Sequence, residues 1–102
     1  MPFIVVFLPS AKSDLRLASD WYEKKQNGLG RRFKGNVINA IDSLSIDSIR
    51  EYGPVYLSLA RIFVNSFPYV IYFKKDLIRQ RIVIYGVLHE KQNKEDILKR
   101  RV

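Results

Sequence analysis

Six consecutive apolar residues, Phe3 to Leu8, open the pattern of the chain, and Pro9 closes them. A run of β-branched and aromatic side chains without alternation predicts a short strand buried on both faces. The period then changes. Ala11, Leu15, Ala18 and Tyr22 recur at helical spacing, which predicts an amphipathic helix over residues 11–26, with Trp21 and Tyr22 facing the core. Ser10 stands where an N-cap hydroxyl meets the free N–H groups of the first turn. Asn27-Gly28 supplies the left-handed residue that ends this helix. A second stripe, Leu29, Phe33, Val37, Ala40, Ile41 and Leu44, predicts another helix from about Leu29, with Arg31, Arg32, Lys34, Asn39 and Asp42 off the stripe. Two helices joined by so short a turn form an antiparallel hairpin, and the strands provide the surface on which it buries its stripes.

Residues 45–54, with serine, aspartate, Gly53 and Pro54, read as the loop between a helical and a strand-rich half. Around Tyr56–Asn65 the alternation returns. Leu59, Arg61 and Phe63 share one face of a strand, and Ala60, Ile62 and Val64 share the other. Pro68 marks the start of the next strand, since a proline cannot donate to a central ladder. That strand runs Tyr69 to Lys74, turns over Lys75–Gln80, and returns as Arg81 to Leu88. The residues from Lys94 to Arg100 can form a short helix, anchored only by Ile97 and Leu98. The fold class expected is α+β: an N-terminal strand, a two-helix hairpin, an antiparallel three- or four-strand meander packed on the helices, and a short C-terminal helix. Residues 1–102 read as a single domain, without repeats or linkers.

Composition narrows the chemistry. The formal charge is +8 over 102 residues, and basic residues exceed acidic ones in both halves. A field of that sign favours polyanions or an acidic protein partner. One histidine and no cysteine leave no disulfide, no thiol nucleophile and no zinc site of the ordinary type, so no metal is expected. No cofactor is expected either: no phosphate-binding glycine loop occurs, and Gly28-Leu29-Gly30 joins two helices without following a strand. The apolar opening is too short for a signal peptide and lacks a positive flank. No run approaches the ~18 apolar residues of a membrane span, so no membrane contact and a cytoplasmic location are expected.

Arg61 is the sharpest candidate for function. It sits mid-strand between Leu59 and Phe63, where a guanidinium is costly unless it is paired. Its planar fork suits phosphodiester oxygens; the alternatives are an edge-strand arginine in solvent or an ion pair with a carboxylate such as Glu51. His89 ends the last strand and, if that strand is regular, shares a face with Val83, Tyr85 and Val87. A histidine can accept or deliver a proton near neutrality, as 2′-hydroxyl attack on a phosphodiester requires. It can equally be a structural strand-end residue. Phe67-Pro68-Tyr69 reads as architecture, although Tyr69 can stack on a base. Lys91, Arg100 and Arg101 are candidate contacts to a target or phosphate, or solvated charges. Lys24, Lys25, Arg31, Arg32 and Lys34 gather around the hairpin turn, with Glu23 to offset them, and make a plausible contact for RNA or DNA phosphates or a solvated helix end.

Taken together, A-K-S-D-L and W-Y-E near the start, G-L-G-R-R-F, R-I-F-V-N-S-F-P-Y-V-I-Y-F and R-I-V-I-Y-G-V-L-H resemble the RelE/ParE toxins of type II toxin–antitoxin (plasmid stabilisation) systems. The resemblance runs from about Ser10 to Arg100. It implies a growth-inhibiting toxin neutralised by a cognate antitoxin protein. RelE-like members cut mRNA on the ribosome without a metal, whereas ParE-like members bind and poison DNA gyrase without covalent chemistry of their own. In the family an arginine just before F-P-Y lies in the toxic surface, which Arg61 matches, and Arg100 matches a terminal arginine. V-L-H ends this strand in both branches, and the basic residue that often follows it is Glu90 here, with Lys91 next. A ribonuclease would use His89 (or Glu51, or a lysine) as acid or base, with Arg61 and Arg100 as cations. Residues 54–73 hold one basic residue, Arg61, and that sparsity inclines the reading to a gyrase poison or an unclassified branch. A non-toxic basic binding module derived from the family is the third reading.

Overall fold

Pro9 opens the first helix. In the computed structural model, which describes residues 3–44 and 58–102, strand β1 (Ile4–Phe7) leads to Leu8 in extended conformation and then to helix α1 (Pro9–Lys25). The expected N-cap at Ser10 is thus corrected to Leu8, with Pro9 at the first helical position. Proline suits that place because the first N–H has no partner in a helix, and the ring already fixes a helical φ. Gly28 takes the left-handed conformation (φ 85°) and starts helix α2 (Leu29–Asp42). No side chain of Gly28 can cap that helix. Glu23 does so from α1, its carboxylate accepting from Gly28 N–H (2.8 Å) and Gly30 N–H (3.0 Å). The two helices touch closely at Gly30, where an added Cβ would overlap the backbone carbonyl oxygen of Ser19.

Strands β2 (Ala60–Phe63), β3 (Tyr69–Asp76) and β4 (Arg81–His89) form the antiparallel meander, and helix α3 (Lys94–Lys99) follows. β1 joins the meander parallel to β4, giving a four-stranded sheet in the order β1-β4-β3-β2. β1 is therefore an edge strand. Ile4 and Val5 are 68% and 38% exposed, which corrects the expectation of a strand buried on both faces. An apolar run reports the residues' hydrophobicity and not how many neighbours the strand acquires. The expected loop over residues 45–54, Glu51 and the first part of the expected strand at Tyr56 lie outside the described residues.

One face of the sheet is covered by α1 and α2. Phe33, Val37 and Ile41 of α2 and Ala11 and Ala18 of α1 meet Ile62, Ile71, Phe73, Ile82, Ile84 and Val87 there. Each large side chain fully buried contributes about 1.5–3 kcal/mol, so this layer is the main stabilising core. The other face carries a smaller cluster in which Leu98 of α3, fully buried, meets Leu59, Val70, Tyr72 and Leu88. Asn93 caps α3, its side chain accepting from Asp96 N–H at 3.2 Å. A buried leucine and a cap hold a helix of six residues that could not persist alone.

β4 is not regular. Tyr72 pairs with Gly86 and Phe73 with Ile84, so Tyr85 is an extra residue, a β-bulge. The bulge reverses the phase of the strand. Ile82, Ile84, Val87 and His89 point to the helix side, while Tyr85 joins the opposite cluster. The expected shared face of His89 and Tyr85 is corrected accordingly.

Candidate functional site

His89 lies at the end of β4 directly opposite Tyr69, the first residue of β3. Their rings meet edge to face at 5.2 Å. Around them opens a groove of about 600 Å³ between α1 and the end of the sheet, lined by Leu17, Trp21, Tyr22, Tyr69, His89 and Gln92 among others. Leu17 and Trp21 are 62% and 55% exposed, so Trp21 is a surface residue and the expectation that it faces the core is corrected. Tyr22 does face inward, its ring 4.9 Å from Phe67 and 5.3 Å from Phe33. Burial pushes the Tyr22 phenol up, and it pushes up that of Tyr69 too, with the Tyr22 and Asp14 charges adding to the effect. Both phenols stay neutral hydrogen-bonding groups.

The turn after β4 is built around the histidine. Gln92 Oε1 accepts from His89 N–H at 2.7 Å, and Gln92 N–H donates back to the His89 carbonyl at 2.9 Å. Lys91 N–H donates to His89 Nδ1 at 3.0 Å. An accepting Nδ1 fixes the tautomer with its proton on Nε2, the nitrogen left for a ligand. Lys91 thus orients His89 through its backbone, and its own ammonium group lies on an exposed residue.

Arg61 is elsewhere. It pairs with Tyr72, three residues from Tyr69 along β3, and therefore points to the face opposite His89. The residue is half-buried, and its guanidinium carbon lies 5.3 Å from the centre of the exposed Phe63 ring. Beside it, burial raises the Tyr72 phenol and the Arg61 charge only partly offsets that rise. α3 shares this face, and Arg100 ends that helix with Nε donating to the Asp96 carbonyl at 3.1 Å. The structure thus separates the expected site residues into two groups: Tyr69 and His89 at the groove, with Lys91 in the turn after β4, and Arg61 and Arg100 away from it, on the opposite face of the sheet and at the end of α3.

Arg101 belongs to neither group. Its Nη1 and Nη2 donate to both carboxylate oxygens of Asp14, at 2.6 and 3.0 Å, and Nη1 also donates to the Tyr85 carbonyl at 3.1 Å. Asp14 Oδ2 in turn accepts from Val87 N–H at 3.1 Å. The pair stands where β1 stops: Leu8 N–H donates to the Ile84 carbonyl, and beyond it the backbone edge of β4 has no strand partner among the described residues. Asp14 and Arg101 satisfy the Tyr85 and Val87 backbone groups in place of a strand. Arg101 is thereby occupied structurally.

Sequence reasoning missed Asp14, Glu23, Leu17 and Gln92. Leu17 carried a signal, since Asp14, Leu17, Ala18 and Trp21 form a second helical stripe beside the core stripe. The partners of Asp14 and Glu23 had none, because both depend on where distant backbone groups fall.

No helix among the described residues is long and apolar enough to cross a membrane. Comparison with curated proteins finds no match. A solved structure described as a chromosomal ParDE TA system from P. aeruginosa is similar, with a TM-score of 0.65 and 15% identity, covering 85% of this chain and 95% of that one. At that identity it shows a shared fold: strand, helical hairpin, mixed sheet and terminal helix. The family described as the ParE toxin of type II toxin-antitoxin system, parDE, matches residues 5–94, and by that match over most of its length the chain belongs to the ParE toxin family.

Proposed function

We propose that this chain inhibits growth as a ParE-like poison of DNA gyrase and is neutralised by a cognate protein antitoxin. The observation that carries the choice of mechanism is the placement of His89 and Arg61 on opposite faces of the sheet. Phosphodiester cleavage needs an acid or base and a cation around one phosphorus atom. The backbone of the sheet stands between these two, and their side chains leave it in opposite directions. The other expected cation, Arg100, caps the end of α3 and does not line the groove at His89, and Arg101 is bound to Asp14. A poison that works by binding needs no such convergence. Arg61 with its exposed neighbour Phe63 then serves as a contact to the target. The apolar groove with Leu17 and Trp21 at its edge offers the antitoxin a seat for an amphipathic or extended segment, with the surplus positive charge favouring an acidic one.

The RelE-like reading keeps one observation in its favour, the fixed His89 tautomer with Nε2 free at a groove. One substitution tests the site, and a second separates the readings. Arg61→Ala should abolish growth arrest with the fold retained. His89→Gln, which keeps hydrogen bonding but cannot transfer a proton, should leave arrest nearly intact. A ribonuclease that used His89 would lose about 10²–10⁴ in cleavage. Growth arrest at full strength in Arg61→Ala would remove that residue from the site, and loss of arrest in a folded His89→Gln would favour the nuclease.

A further inference from the structure

A second groove, of about 550 Å³, lies on the flank of the helical hairpin and is lined by Pro9, Lys12, Ser13, Leu15, Arg16 and Lys34, with no acidic side chain among its lining residues. Lys12 and Arg16 are one helical turn apart on α1, and Lys34 faces them from α2. All three are exposed, and none makes an ion pair with a carboxylate among the described residues. At 3.6 residues per turn this flank of α1 is about 140° around the axis from Leu17 and Trp21. It is thus distinct from the apolar groove at His89.

We propose that this groove docks the phosphate backbone of duplex DNA. Its charge selects an anion, and its surface selects the kind. Its apolar lining is confined to Pro9 and the half-buried Leu15, with no aromatic side chain, so it offers an acidic protein segment little anchor beyond charge. A protein interface without a buried apolar centre is weak, whereas a duplex backbone is bound by charge alone through release of its counterions. A duplex also carries one charge per ~1.7 Å of axis, so three cations gain more from it than from a single strand. The choice of DNA over RNA rests on the gyrase reading, in which the target carries duplex DNA beside the toxin. The groove would hold the toxin to that DNA while Arg61 contacts the enzyme.

The test is a salt titration of the full-length chain with a fluorescent duplex DNA of arbitrary sequence, in the absence of gyrase. Three phosphate contacts predict a slope of log K against log salt of about −2.7, which is a loss of roughly 40-fold between 50 and 200 mM salt. The combined variant Lys12→Ala/Arg16→Ala/Lys34→Ala should flatten the slope to near zero with an unchanged circular dichroism spectrum. The control Lys94→Ala/Lys99→Ala, on α3, should retain the wild-type slope. Equal slopes for the triple variant and the wild type would overturn the proposal, as would tighter binding of poly-glutamate or of an RNA duplex at the same salt. Naked DNA is the probe, so absence of binding would reject the groove while leaving the gyrase reading to its own assay.

Discussion

Asp14 joins three parts of the chain through one carboxylate. It sits on α1, accepts from the β4 backbone at Val87, and takes both guanidinium nitrogens of Arg101, 87 residues further on. Its side chain is 14% exposed and that of Arg101 is 17% exposed. Removing one partner of a buried pair costs ~3–5 kcal/mol because the other charge is left desolvated. Here the partial exposure lowers the expected cost to about 2–3 kcal/mol for Asp14→Ala or Arg101→Ala. Urea unfolding of both variants checks this, and a cost under ~0.5 kcal/mol would mean that water replaces the pair. The C-terminal basic run looked in the sequence like a set of interchangeable surface cations. Arg100 and Arg101 are neighbours just past a short helix, and nothing local reveals that a carboxylate waits for the second. Arg61 was easier to read, because a charged residue in an alternating apolar strand is conspicuous wherever the strand lies.

At the scale of elements, the helical hairpin depends on two features of its turn. Gly30 lets α2 lie against the Ser19 backbone. Gly30→Ala must push the helices apart, at an expected cost of about 1–3 kcal/mol, read as a lower melting temperature. An unchanged melting temperature would show that the hairpin yields freely. Glu23 holds the start of α2, and its bonds to the Gly28 and Gly30 backbone lower its pKa from the ordinary 4.5. A carboxyl group lowered in the folded state binds its proton more readily when unfolded. Its contribution is therefore present above the ordinary value and is lost as pH falls below it. Stability measured from pH 6 to pH 3 should fall less steeply for Glu23→Gln than for the wild type. Parallel curves would assign the acid sensitivity elsewhere, Asp76 with its lowered carboxyl being the next group. The stripes that predicted these helices were legible because each is long enough for its period to show. The bulge at Tyr85 was not. One extra residue leaves composition and apparent alternation unchanged, yet it moves His89 to the helix side of the sheet.

Across the whole molecule, the sheet separates two surfaces. The helix side carries the aromatic groove with Tyr69 and His89; the opposite side carries Arg61 and Phe63. The order of elements was legible in the sequence, as was the pairing of the meander. The parallel docking of β1 at the edge beside β4 was not, because partner choice for a first strand is set by the crossover through the hairpin. In the proposed function, the chain arrests growth by binding gyrase and performs no cleavage. The most direct measurement incubates the purified chain with gyrase and supercoiled plasmid and, separately, with ribosomes carrying a defined mRNA. The expected result is linear plasmid trapped in gyrase complexes in the first reaction, its loss in Arg61→Ala, and intact mRNA in the second. Cleaved mRNA on the ribosome, with gyrase turning over normally, would contradict it.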